Sequence, residues 1–186
     1  MKRASKVLAL GCLLALVFFL VAGALAADVE PKVGQTVNAK FPKPMSDEDA
    51  KYLGLDKAAE FTVKDVKAPY FLVEQFSTTC PHCMAQAPVL NTLYSRVQQD
   101  AQLKDKVKFA ALGQGDAEDK AKMWKAFQKV PFPVIPDPNS TLGDALNFHP
   151  YPVTLVLDKN NKIVFVHIGA FENTDEIMKE LKAALK

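Results

Sequence analysis

The hydrophobic and polar positions of the chain predict strands and amphipathic helices in alternation. Residues 70–76 form a mostly apolar run of strand-forming residues, which predicts a central strand covered on both faces. Over residues 81–99 apolar side chains recur at helical spacing, with Val89, Leu93 and Val97 on one face. A helix is therefore expected to follow the strand after a short turn.

The same alternation continues from residue 107 and closes with two successive strands. Strands that alternate with helices and then end in a hairpin predict an α/β fold, with a mixed sheet flanked by helices on both faces. The other predicted elements are a short helix at 47–53, a strand at 107–112, a helix at 117–129 with Trp124 and Phe127 on its core side, a strand at 132–135, a short helix reaching Leu146, strands at 153–157 and 163–168, and a closing helix at 174–185.

The N-terminus has the pattern of an export signal. Residues 1–26 begin with three basic residues, and small residues at Ala24 and Ala26 favour cleavage before Ala27. The uncharged stretch, residues 7–27, exceeds the usual apolar core of about 7–15 residues and is close to the roughly 20 that cross a bilayer. An uncleaved membrane anchor is therefore the alternative. In both cases the remainder is expected to be exported, to the periplasm or another extracytoplasmic compartment.

Composition and charge predict where the domain begins and which partners are not expected. Mixed composition and three prolines make residues 27–44 an irregular lead-in, which places the domain at 45–186. The net charge of the 186-residue chain is +2 and falls to about −1 once the basic residues of the signal segment are removed. Because no basic tract remains, nucleic acid is not expected as a partner.

Two cysteines, Cys80 and Cys83, follow the signal segment and form a C-x-x-C motif where the helix is predicted to begin. One such pair closes a very small loop and stabilises little, so reactivity explains it better than structure. Backbone N–H groups and the dipole at a helix N-terminus are expected to stabilise the Cys80 thiolate. Cys83, one turn further, is expected to resolve the mixed disulfide that Cys80 forms.

Cofactor binding by the same motif is not expected. A c-type haem site would need a histidine directly after the second cysteine, and Met84 stands there. A zinc site would need about two more ligands, whereas the three histidines are far apart in sequence. We therefore predict no cofactor and no metal.

Three further residues are candidates for the site. His82, between the cysteines, can favour the thiolate as a cation or hydrogen-bond donor; the alternative is an exposed helix-start residue without effect. Glu74, six residues before Cys80, is expected to have a raised pKa if buried and could exchange a proton with Cys83. The alternative is that Glu74 faces solvent at a sheet edge or pairs with a lysine. Pro152 directly precedes a strand, where a proline is either cis or part of a plain stiffened loop.

These residues give the chain a resemblance to a known family. The segment 74–83, with Pro88 five residues after the second cysteine, resembles the active-site strand and helix of thioredoxin-fold proteins. Segments 132–138, 151–158 and 162–164, together with Gly169, resemble the second half of the TlpA/ResA-like branch, which is exported and often membrane-tethered. The dipeptide between the cysteines is that of DsbA-like oxidants, although the chain has no room for their helical insertion.

The resemblance implies roles for individual residues. Cys80 is the attacking thiol and Cys83 the resolving one, Pro152 is the cis-proline facing them, and Tyr151 offers its backbone to a substrate strand. A buried acid stands at the place of Glu74 in many thioredoxins. The implied partners are exported protein thiols or disulfides and a protein that recycles the redox pair. The scaffold and the active site imply opposite directions of electron flow. The scaffold implies a reductase, for instance of apocytochrome cysteines, and the dipeptide between the cysteines implies an oxidase.

Two other functions compete with disulfide exchange. A thiol peroxidase of the peroxiredoxin type has a related scaffold, but the only arginine after the signal segment is Arg96, away from Cys80 in sequence. A non-catalytic module that binds a protein or a metal would keep its function in a Cys80→Ser variant.

Overall fold

A five-stranded mixed sheet lies at the centre of residues 29–185, the part of the chain that the computed structural model describes. The strands are β1 (Tyr70–Phe76), β2 (Val107–Gln114), β3 (Val134–Asp137), β4 (Val153–Asp158) and β5 (Ile163–Ile168). The order across the sheet is β3-β2-β1-β4-β5. β1, β2 and β3 are parallel, whereas β4 runs antiparallel to β1 and β5 antiparallel to β4.

Within the same residues, five α-helices pack on the two faces of this sheet. They are α1 (Asp47–Leu53), α2 (Pro81–Gln99), α3 (Glu118–Phe127), α4 (Thr141–Leu146) and α5 (Thr174–Ala184), with one 3-10 turn at Val63–Asp65. Side chains of α2, α3 and α5 join the hydrophobic cluster on one face, and those of α1 and α4 join the cluster on the other. The predicted α/β fold with a mixed sheet is confirmed.

The alternation of side chains along β1 decides what lies under each helix. Leu72 and Phe76 enter the cluster beneath α2 and α5, while Phe71 and Val73 enter the cluster on the opposite face. Since successive side chains of a strand point to opposite faces, Glu74 shares the face of Leu72 and Phe76. The strand therefore directs one carboxyl group toward the helix that carries the two cysteines.

One predicted core position is wrong. Phe127 is 81% exposed, because Ala121 and Trp124 form the buried face of α3. Trp124 stacks on Phe76 at 4.6 Å between ring centroids. The helix ends at Phe127, so this side chain projects beyond the packed stripe. On α2 the predicted face does lie on the core: Leu93 and Val97 are buried, and Val89 is half-buried against the same cluster, which also contains Leu90.

The third strand starts two residues later than predicted and ends at Asp137. Pro133 has no N–H group, but its carbonyl accepts a hydrogen bond from the Ala111 N–H, and regular pairing starts at Val134. Pro136 lies inside this strand, which is tolerated because β3 is an edge strand of the described sheet.

The lead-in before α1 packs on the sheet. Thr36 forms an isolated bridge with Lys162, and Phe41 forms one with Phe61. Phe41 is fully buried, stacked on Phe61 and edge-on to Phe71, each at 5.3 Å between ring centroids. These residues add to the core, and the domain start at residue 45 stays a prediction.

The predicted signal segment or anchor, residues 1–26, lies outside the described residues. Among residues 29–185, no helix combines the length and the apolar composition that crossing a bilayer requires. Cleavage before Ala27 and a tether through residues 7–27 stay predictions.

We expect Phe41→Ala to lower the free energy of unfolding by about 3–5 kcal/mol, since the variant leaves a cavity between two aromatic rings. Chemical denaturation followed by circular dichroism measures this change. The matched control is Phe127→Ala, which removes an exposed ring and should change stability by no more than about 0.5 kcal/mol. Equal effects of the two substitutions would show that the lead-in does not share the core.

Candidate active site

Cys80 caps the N-terminus of α2. Its backbone is extended, and its Sγ accepts a hydrogen bond from the Cys83 backbone N–H at 3.3 Å. Pro81 occupies the first helical position, where the missing N–H is not needed. A sulfur at this cap lies at the positive end of the helix dipole, so the fold offers stabilisation to a negative charge on Cys80.

The two thiols differ in their access to solvent. Both cysteines are free, Cys80 is 7% exposed and Cys83 is fully buried. Burial, followed by the hydrogen bond with Cys80 and the charge of Glu74, raises the pKa of the Cys83 thiol, while a backbone hydrogen bond at Ser77 opposes the shift. Cys83 therefore keeps its proton at neutral pH unless a base removes it.

A buried aspartate holds the turn that leads into Cys80. Both the N–H and the hydroxyl of Thr78 donate to the Asp116 carboxylate, each at 2.8 Å. Asp116 follows the end of β2 and also lies 3.7 Å from the Lys120 ammonium group. Sequence reasoning missed Asp116, for which the only signal was an acidic residue just after the glycines that end a strand.

The loop before β4 lies against Cys80. The Cys80 thiol is 3.9 Å from the Tyr151 carbonyl oxygen, which serves as its acceptor. The Tyr151–Pro152 peptide bond is cis, and Pro152 is buried while Tyr151 stays exposed. The structure thus places the predicted substrate-binding backbone of Tyr151 against Cys80, with Pro152 directly after it in the chain.

Two glutamines that sequence reasoning missed hold this loop. Gln75 of β1 donates from Nε2 to the carbonyls of Phe148 and Pro150, at 3.2 and 3.0 Å. Gln114, at the end of β2, donates to the carbonyl of His149 at 2.9 Å. The carboxyl ends of neighbouring strands therefore fix the backbone that faces Cys80.

Glu74 is buried rather than placed at a sheet edge. It lies in the central strand between Ala111 and Thr154, and it is 2% exposed. Burial raises its pKa to about 8, although a 2.7 Å hydrogen bond from the Gln86 amide works in the opposite direction. A carboxyl group with this pKa can hold or release a proton near neutral pH.

His82 is exposed to solvent, whereas His149 and Arg96 pair with carboxylates. His82 is exposed on the first turn of α2, and His149 pairs with Asp144 at 2.8 Å. Arg96, on the last turn of α2, forms an ion pair with Asp175 of α5. Among residues 29–185, no three His, Cys, Asp or Glu side chains are grouped as a metal site would require.

Comparison with solved structures defines the fold. The thioredoxin domain of a thiol-disulfide oxidoreductase from Bacteroides vulgatus superposes with a TM-score of 0.61, at 13% identity, over 84% of this chain and 100% of that domain. At this identity the likeness shows the fold alone, which is thioredoxin-like.

Sequence comparison defines the family. The Redoxin family model matches residues 36–185, so the chain belongs to the Redoxin family. The thiol-disulfide oxidoreductase ResA from Halalkalibacterium halodurans is 23% identical over 111 residues, which covers 60% of this chain and 59% of that protein. The thiol:disulfide interchange protein DsbE from Vibrio cholerae is 29% identical over 123 residues, which covers 59% of this chain and 62% of that protein. The alignments thus span about three fifths of the length of these curated relatives.

We expect the pH dependence of stability to report Glu74. Its pKa is raised from an ordinary value of 4.5 to about 8, so between these values the native state holds a proton that the unfolded state lacks. Stability should therefore fall as pH rises from about 4.5 to 8 and level off above that. A Glu74→Gln variant should lack this pH dependence. At alkaline pH its free energy of unfolding should exceed that of the parent protein by about 2–4 kcal/mol.

Urea unfolding between pH 4 and 9 checks this expectation. Glu60→Gln, which changes an exposed glutamate paired with Lys40, is the matched control and should follow the parent curve. Parallel curves for Glu74→Gln and the parent protein would contradict the raised pKa.

Proposed function

We propose that this protein is a thiol–disulfide oxidoreductase that exchanges disulfides with the thiols of exported proteins through Cys80 and Cys83. The observation that carries the proposal is the cap of α2, where the Cys83 N–H donates to the Cys80 sulfur at 3.3 Å. A partly reachable sulfur at a helix N-terminus, with a buried thiol one turn away, is the arrangement that stepwise disulfide exchange needs. The names of the relatives ResA and DsbE support the same activity.

In the first step the Cys80 thiolate attacks one sulfur of a substrate disulfide. The bond between Cys80 and that sulfur forms as the substrate disulfide breaks, and the second substrate sulfur leaves as a thiolate that takes a proton. The Cys83 N–H and the dipole of α2 stabilise the attacking anion before the bond forms.

In the second step Cys83 resolves the mixed disulfide. Its proton passes to the Glu74 carboxylate, and the resulting thiolate attacks the Cys80 sulfur. The Cys80–Cys83 bond forms, the first substrate sulfur leaves as a thiolate, and the two electrons of the dithiol have passed to the substrate. The reverse sequence oxidises a substrate dithiol, so one site serves both directions.

The loop at Tyr151 and Pro152 supplies the substrate contact. Because the Tyr151 carbonyl faces the Cys80 sulfur and Tyr151 is exposed, an extended substrate segment can pair with this backbone while its cysteine meets Cys80. The hydrogen bonds from Gln75 and Gln114 keep the backbone of this loop in place. Pro152 is buried beside it and adds shape without a competing N–H group.

The export pattern of residues 1–26 supports an extracytoplasmic location, with a tether through residues 7–27 if the segment is not cleaved. In that compartment the Cys80–Cys83 pair needs a partner protein that restores its redox state after each turnover. Protein thiols and this recycling partner are the proposed interaction partners.

Two variants test the exchange reaction. Cys80→Ser should lower the reduction of a model disulfide peptide by at least about 100-fold, because the nucleophile is lost. Cys83→Ser should retain attack but accumulate a mixed disulfide with its partner, which mass spectrometry identifies. The double variant is the control that traps nothing. A Cys80→Ser protein with unchanged function in the cell would instead support a binding module, and rapid peroxide consumption by Cys83→Ser would support a peroxidase.

The reduction potential of the pair decides the direction of exchange. A potential near −120 mV identifies an oxidant, and a potential near −270 mV identifies a reductant. Such proteins span this range of about 150 mV. We expect His82→Ala to lower the potential by about 30 mV, since it removes a group that favours the reduced thiolate. Met84→Ala, an exposed change just after Cys83, is the matched control. A potential unaltered by His82→Ala would leave His82 without a role in the exchange.

A further inference from the structure

A buried side-chain amide connects the strand that carries the Glu74 carboxyl group to the helix that carries the thiols. Gln86 of α2 is fully buried, and its Nε2 donates to Glu74 at 2.7 Å and to the Thr154 hydroxyl at 3.3 Å. Its Oε1 accepts the Phe171 backbone N–H at 2.9 Å. We call Glu74, Gln86, Thr154 and the Phe171 N–H the Gln86 cluster.

The Phe171 contact fixes which way the Gln86 amide points. A backbone N–H can only donate, so the amide oxygen must face Phe171 and the amide nitrogen must face Glu74. Glu74 therefore always meets a hydrogen-bond donor. A donor favours the carboxylate over the carboxylic acid, which offsets part of the effect of burial.

Gln86 also shares a helix face with the resolving cysteine. It lies three residues after Cys83 on α2, which places the two side chains on neighbouring turns of one face. Glu74 and Thr154 are directly opposite each other on β1 and β4, beneath this face. The amide thus joins the helix that carries Cys83 to the strand that carries its acid.

The neighbours of Glu74 come from three elements besides its own strand. The Cys83 thiol on α2 is close enough for the charge of Glu74 to raise its pKa. On β5, His167 is the cross-strand partner of Thr154 and lies in the same row of the sheet, with its ring against Phe171. On β2 the row continues with Ala111, which carries no charge. The Gln86 amide is a neutral donor among titratable neighbours.

We propose that Gln86 is a positioning residue, which orients the Glu74 carboxyl group and keeps its ionised form accessible so that Glu74 can accept the Cys83 proton. The role in proton transfer rests on the proposed function, whereas the effect on Glu74 does not. Without this donor Glu74 holds its proton more firmly and is a poorer acceptor at neutral pH.

The experiment is a ¹³C NMR titration of the Glu74 carboxyl carbon in the reduced full-length protein, assigned with Glu74→Gln. We expect a midpoint near pH 8 in the parent protein and a midpoint about 0.5–1 pH unit higher in Gln86→Met. Gln86→Leu also removes the donor without adding a charge, so it should raise the midpoint as well. It carries the test if Gln86→Met does not fold.

Asn91→Ala is the matched control. It removes another side-chain amide hydrogen bond of α2, a half-buried one to the Gln128 carbonyl, and should leave the Glu74 midpoint unchanged. In parallel, the pH profile for resolution of a mixed disulfide on Cys80 should move to higher pH in Gln86→Met by the same amount as the Glu74 midpoint.

Each outcome has a distinct meaning. Equal Glu74 midpoints in the parent protein and both Gln86 variants overturn the proposal. A raised midpoint with no exchange activity in the parent protein supports the effect of Gln86 on Glu74 and defeats the proposed function. A raised midpoint with an unmoved pH profile overturns the role in proton transfer.

Discussion

The hydrogen bond from the Cys83 N–H to the Cys80 sulfur, at the start of α2, is the interaction on which the rest of the site depends. It exists because the helix begins immediately after the turn that closes β1. The Asp116 carboxylate fixes this turn through the N–H and the hydroxyl of Thr78. A sulfur beyond the first turn of the helix would find the backbone N–H groups already paired. The chemistry of the pair is therefore built on one junction between a strand and a helix.

The same helix places its second thiol in the opposite environment. Cys83 is fully buried, and burial raises the pKa of its thiol, which fits the proposed role of resolving a mixed disulfide formed on Cys80. A buried carboxyl group, Glu74, lies in the strand beneath. Such a group lowers stability when it ionises, and it persists in the core because Gln86 satisfies it. The buried acid thus lowers the stability of the core, and the proposed proton transfer to Glu74 gives it a function there.

The loop at Tyr151 shows how the sheet builds the other side of the site. Gln75 and Gln114 lie at the carboxyl ends of two parallel neighbouring strands, and their amides donate to three successive carbonyl acceptors of the loop, at Phe148, His149 and Pro150. Side chains of the sheet thus hold the loop, in addition to its contacts with α4, such as the pair of His149 with Asp144. Membership of the Redoxin family agrees with this architecture, in which a thioredoxin-like sheet supports both the cysteines and the loop that faces them.

The amino-acid sequence determined the local elements and the reactive pair. The bounds of β1, the start of α2 and the C-x-x-C motif follow from apolar spacing and from the positions of Pro81 and the cysteines, which act over a few residues. Only the tertiary structure decided that Glu74 is buried, that Phe127 is exposed, and that Asp116, Gln75 and Gln86 hold the site. Their partners lie 38, 73 and 85 residues away in the chain, and they meet because the order β3-β2-β1-β4-β5 brings distant strands together. Periodicity tells which side chains share a face, but the pairing of faces depends on packing across the whole sheet.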